Sequence, residues 1–171
     1  MLWAQAGIAV EWLPWKTYNH SNLLNITDPN DPWGYIGDFT GNSSSTLPMW
    51  FNEWLVDTSY LGFTGGAGVS YGIFIPEYTL TNAGVGYQST IAHEIGHALG
   101  LQHLEAADNL MTASIARNVT DASQLSYPGG DRGMLTAEQI QTARTDRWNP
   151  GALDPFLMNI AAPLCGYECQ F

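Results

Sequence analysis

The chain has 171 residues, enough for one domain with a sizeable hydrophobic core, and at roughly 150 residues per domain a second independent unit is not expected. Sixteen acidic against five basic side chains give a net charge of -11, and the clustered Lys and Arg that nucleic acid or an anionic membrane surface requires are missing, since Lys16 is the only lysine. With 45% hydrophobic residues disorder is excluded as well, and no apolar run approaches the ~18 residues that a spanning helix needs.

In chain order, Leu2–Ala6 reads as the last turns of a helix closed by Gly7, and Ile8–Leu13 alternates as a strand that stops at Pro14. Residues 19–48 are rich in Asn, Asp, Pro, Gly and Ser, so they read as a long surface excursion with at most one short strand near Tyr35 to Phe39. Asp28, Asp31 and Asp38 carry oxygens of the kind calcium takes, but their spacing fits no calcium loop; calcium is therefore unsupported, and turn-forming Asx residues are the simpler reading. Asn-x-Ser/Thr triplets at Asn19, Asn25, Asn42 and Asn118 mark exposed segments and no more. Met49–Val56 places apolar residues at helical offsets and predicts a short buried helix. Gly62 to Gly68 breaks the pattern, Val69–Ile75 is the clearest strand and ends at Pro76, and Ser89 or Thr90 caps a helix that begins at Ile91.

That last helix carries the chemistry. Three of the four histidines fall in His93-Glu94-Ile95-Gly96-His97-Ala98-Leu99-Gly100-Leu101-Gln102-His103. Residues four apart share a helical face, so His93 and His97 can aim imidazole nitrogens at one zinc ion with bonds of ~2.0–2.1 Å. Glu94 stands beside that point rather than on it. A continuing helix would carry His103 about 15 Å along the axis from His93, so the helix must end between them. Gly100 occupies the position where a left-handed residue ends a helix and lets His103 return to the metal. A helix with unrelated histidines would match His-Glu-x-x-His in roughly one in several hundred chains of this length, and the added Gly and third His make chance rarer by at least about a hundredfold.

These residues resemble the metzincin clan of zinc metalloendopeptidases, whose motif His-Glu-x-x-His-x-x-Gly-x-x-His is matched by His93, Glu94, His97, Gly100 and His103. The resemblance implies a Met-containing turn beneath the metal, with Asn109-Leu110-Met111-Thr112 the candidate; Met111 follows His103 by eight residues, a spacing similar to that of matrixins. Leu104 is none of the residues that distinguish the clan's families at that position. Ala113 replaces the tyrosine that some families use as a metal contact and the proline of the matrixin turn, so no tyrosine ligand is assigned. The fold implied is α+β, with a twisted, mostly parallel sheet that has an antiparallel edge strand, packed on the active-site helix and followed by a smaller irregular part with one helix. Thr136-Ala137-Glu138-Gln139 fits a capping box for that helix, which runs through Ile140 and Ala143 towards Trp148. Residues 113–135 would border the pocket for the side chain after the scissile bond.

The function implied is hydrolysis of peptide bonds in proteins or extended peptides, with one zinc ion bound by His93, His97 and His103, a zinc-activated water, and Glu94 as general base and acid. The strand segment Val69, Ser70, Tyr71, Gly72 and Ile73 is the candidate edge that holds substrate in extended form, although its apolar content equally suits an interior strand. The chain is expected to form one catalytic domain over 1–171, divided at about residue 100 into a part with the active-site helix and a part with the Met-turn. It is expected to act as a secreted monomer on protein or peptide substrates, with no nucleic-acid partner and no membrane insertion, its signal and propeptide lying outside these residues. Cys165 and Cys169 admit either a small loop disulfide or two thiols. The competing reading is a zinc-stabilised binding module without turnover, against which the presence of Glu94 argues, since a structural zinc has no use for a base.

Overall fold

The computed structural model describes residues 2–14, 16–17, 25–26, 46–55, 61–67, 70–81, 89–106, 108–113, 133–145, 156–161 and 163–164. A 3-10 turn over Leu2–Ala6 ends at Gly7, whose φ of 69° is open to glycine at little cost, and leads into β1 (Ile8–Trp12). The other strands of the main sheet are β4 (Thr46–Asn52), β6 (Phe63–Ala67), β7 (Ser70–Pro76) and β8 (Phe156–Ala161). Their order is β1-β8-β4-β7-β6. The first four are mutually parallel, and β6 runs antiparallel on one edge. Among the described residues two short parallel pairs complete the strands: β2 (Lys16–Thr17) with β9 (Pro163–Leu164), and β3 (Asn25–Ile26) with β5 (Trp54–Leu55). The described α-helices are α1 (Glu77–Thr81), α2 (Thr90–Ala98) and α3 (Ala137–Thr145), and α2 packs against β6 and β7. This is the expected α+β arrangement of a mostly parallel sheet with an antiparallel edge.

Side-chain alternation gives the sheet two different faces. Leu47, Met49, Ile73 and Ile75 form one core with Ile95 of α2 and Leu99 just after it, together with Trp3, Leu110 and Met111. On the other face Trp50, Phe74 and Phe63 form a row across β4, β7 and β6, with ring centroids 6.3 Å and 5.3 Å apart. Phe74 is the register partner of both neighbours, so the row is a cross-strand aromatic ladder.

Several sequence expectations are corrected. Met49–Val56 is no helix: Met49 to Asn52 belong to β4 and Trp54–Leu55 form β5. A parallel strand covered on both faces shows no alternation, and residues 47–50 are all buried, so the apolar run imitates a buried helix. The segment Ser70 to Ile73 belongs to β7, which pairs with β4 on one side and β6 on the other, so it is interior and not a substrate edge; Val69 lies outside the described residues. The edge is β6, in the stretch that reads from sequence as a glycine-rich break. β8 comes from the C-terminal part of the chain and sits between β1 and β4 in the main sheet. The segment Tyr35 to Phe39, Asp28, Asp31 and Asp38, the Asn-x-Ser/Thr triplets apart from Asn25 and Ile26, and Cys165 and Cys169 lie outside the described residues.

Candidate metal centre

The helix α2 ends through backbone hydrogen bonding. Leu101 N donates to Gly96 O at 2.9 Å and Gly100 N to His97 O at 3.0 Å, the two bonds of a Schellman close, with Gly100 at φ 81°. A side chain at Gly100 would meet the steric penalty of the left-handed region. The reversal brings His103 back towards the helix. At the other end Ser89 stands at the N-cap position without a side-chain capping bond.

The three imidazoles then converge. Nε2 of His93 lies 3.1 Å from Nε2 of His97 and 3.3 Å from Nε2 of His103, and the His97–His103 spacing is 3.1 Å. Nδ1 of His93 faces Leu110 O at 2.8 Å, and Nδ1 of His97 faces Leu101 O at 2.8 Å. A carbonyl only accepts, so both Nδ1 atoms carry the hydrogen, and in the neutral rings both Nε2 atoms then present lone pairs. Lone pairs aimed at one another repel unless a cation lies between them. A tetrahedral ion with bonds of ~2.05 Å separates its ligands by ~3.3 Å, which these spacings approach. The donor set fits zinc, and the carbonyl partners fix ring orientation as outer-shell groups do. His93 is buried, His97 half-buried and His103 exposed, so the centre opens to solvent on the His103 side. Among the described residues the cluster has three members, His93, His97 and His103.

Glu94 lies outside that cluster, 5% exposed, with its carboxylate held from β6: Thr64 Oγ1 lies 2.6 Å from Oε2. Nothing in the sequence pattern pairs these residues, which are thirty positions apart.

The floor of the site is the turn at Asn109–Thr112. Asn109 Oδ1 accepts from Met111 N at 2.8 Å, an Asx-turn, and Thr112 N donates to Asn109 O at 3.2 Å. Met111 is fully buried against α2, and a Cβ on Gly96 would collide with its Sδ. The predicted capping box is present: Thr136 N donates to Gln139 Oε1 at 2.9 Å and Gln139 N to Thr136 Oγ1 at 3.2 Å. Sequence reading missed the second use of Gln139. Its amide pairs reciprocally with that of Asn109, at 2.8 Å and 3.1 Å, so the first turn of α3 braces the Met-turn. The turn also clamps the chain after His103, since Leu104 N donates to Met111 O at 3.1 Å and the Thr112 hydroxyl donates to Leu104 O at 3.0 Å, with Ala106 O a further close partner. Ala113 is half-buried. Of residues 113–135, only Ala113 and 133–135 are described.

A sequence model of the matrixin family of peptidases matches residues 15–132, more than half of the chain. No curated protein and no solved structure matches the chain significantly.

Proposed function

We propose that this chain, which belongs to the matrixin family, is a zinc-dependent endopeptidase that hydrolyses peptide bonds in proteins or extended peptides. Family membership and the three-histidine site together indicate a zinc metallopeptidase. The observation that carries the finer reading is Glu94: a buried carboxylate on the same helix as two of the histidines, next to His93 and outside the ligand cluster. His93, His97 and His103 would hold the metal through Nε2. Bound zinc supplies Lewis acidity and makes water nucleophilic near neutral pH.

The residues of the chain do the rest. Glu94 accepts a proton from the attacking water as its oxygen bonds to the scissile carbonyl carbon. It returns that proton to the amine nitrogen as the C–N bond breaks, so one group serves as base and then as acid. Substrate lies extended along the outer edge of β6, where strand addition supplies hydrogen bonds that do not depend on side-chain identity. The exposed side of His103 marks the open approach to the centre.

Replacing Glu94 tests this reading. Glu94→Ala is expected to bind one zinc per chain and to lose cleavage of an unfolded protein such as casein by about 10²–10⁴-fold, the range for a general base. Cleavage at the unsubstituted rate would remove Glu94 from the mechanism. An inactive unsubstituted chain with bound zinc would favour a binding module instead.

A further inference from the structure

The edge strand meets the active-site helix at one polar point. Thr64 Oγ1 lies 2.6 Å from Glu94 Oε2 and 2.9 Å from the Glu94 carbonyl oxygen. A hydroxyl has a single hydrogen to donate. The nearer, ionised acceptor takes the larger share of it, and 2.6 Å is the spacing of a charge-assisted O–H···O⁻ bond. Sheet register makes the contact: Thr64 is the partner of Ile73, which belongs to the core under α2, while neighbouring Phe63 turns to the opposite face and stacks on Phe74. Close approach of the backbone is needed as well. A Cβ on Gly62 would stand 3.0 Å from Glu94 Cγ, 3.0 Å from Thr90 Cγ2 and 2.9 Å from Ile75 Cδ1, so a side chain there would require these three neighbours to shift.

From this geometry we infer that Thr64 is a positioning residue for Glu94: its hydroxyl holds Oε2 and so fixes the orientation of the carboxylate that exchanges protons during hydrolysis. The inference rests on the reading of Glu94 as the base. A carboxylate's last torsion is broad and roughly two-fold, so without a fixed partner its oxygens wander in plane and exchange roles. Bonding Oε2 to a strand that is itself locked into the sheet removes that freedom. It also replaces part of the hydration that burial strips from the carboxylate. Thr64 acts through Glu94 and needs no contact with substrate.

Three variants and two readouts test the inference. In the zinc-loaded protein, Thr64→Val keeps the shape and removes the hydroxyl; it is expected to lower kcat about ten- to a hundredfold, the equivalent of losing a hydrogen bond to a charged group, with KM changed by less than about twofold. Thr64→Ser keeps the hydroxyl and is expected to recover kcat to within about threefold. In the metal-free protein, Thr64→Val is expected to lower Tm more in the presence of Glu94 than in a Glu94→Ala background, the mark of direct coupling. Thr64→Ala takes the place of the valine variant in both measurements if the latter does not fold. Equal Tm losses in the two backgrounds, an unchanged kcat in Thr64→Val, or a serine variant as impaired as the valine variant would each overturn the inference. If the unsubstituted zinc-loaded chain cleaves nothing, the endopeptidase reading fails, while the metal-free comparison still decides whether the Thr64–Glu94 bond is made.

Discussion

Beneath α2 the Met-turn meets the helix through shape. Met111 is fully buried, its sulfur occupies the space that a side chain at Gly96 would need, and a set of amide and backbone hydrogen bonds through Asn109 and Gln139 holds the turn in place. From β6 and the residue before it the same helix is met through Gly62, which allows close approach, and through the Thr64 hydroxyl on Glu94. Glu94 and Gly96 are two residues apart, roughly 200° around the helix, so the two contacts act on nearly opposite faces. The Met-turn side is apolar and braced by several bonds, so damage there falls mainly on stability. The β6 side carries the Thr64 contact with the proposed base, so damage at that contact falls mainly on turnover.

The largest expected effect cuts across both sides. His103→Ala removes a ligand, and zinc affinity is expected to fall by well over the 10–100-fold typical of outer-shell losses, with hydrolysis lost in parallel. Unchanged zinc content after mild chelation would take His103 out of the ligand set. On the Met-turn side, Met111→Ala is expected to destabilise the metal-free protein by about 2–5 kcal/mol, whereas Met111→Leu, which keeps the volume, costs less than about 1.5 kcal/mol and keeps hydrolysis. Denaturant unfolding measures both, and a small loss for the alanine variant would show that shape is not what holds the turn. Smaller again is Gln139→Ala, expected at about 1–3 kcal/mol because it leaves the Asn109 amide without its reciprocal partner. Its kcat should stay within about threefold of the unsubstituted value if the Met-turn side contributes stability alone. Gly100→Ala completes the series at about 1–2 kcal/mol, the cost of a left-handed φ for a residue with a Cβ.

The same contrast explains what could be read from the sequence. The histidine motif, the terminating Gly100, the Asn109–Thr112 turn and the Thr136–Gln139 capping box are local patterns, in which spacing along the chain already fixes geometry. The α2 helix, β1 and most of β7 follow from periodicity in the same way. The β6 strand was hidden because Phe-Thr-Gly-Gly-Ala has little strand propensity and owes its conformation to antiparallel pairing with β7. β4 was misread because burial on both faces erases the alternation that separates strand from helix. β8 reaches the middle of the sheet from the far end of the chain, and the Thr64–Glu94 and Asn109–Gln139 contacts each join residues thirty positions apart. Such contacts are products of the assembled fold and leave no periodic trace.

The central claim is that three imidazoles hold one zinc ion and that peptide hydrolysis depends on it. Stripping the purified chain of metal and titrating zinc back, while following cleavage of an unfolded protein substrate, tests this most directly. The metal-free chain is expected to cleave nothing, and cleavage is expected to recover and to saturate at one equivalent of zinc. Cleavage that survives complete removal of metal, or fails to return when one equivalent is bound, would contradict it.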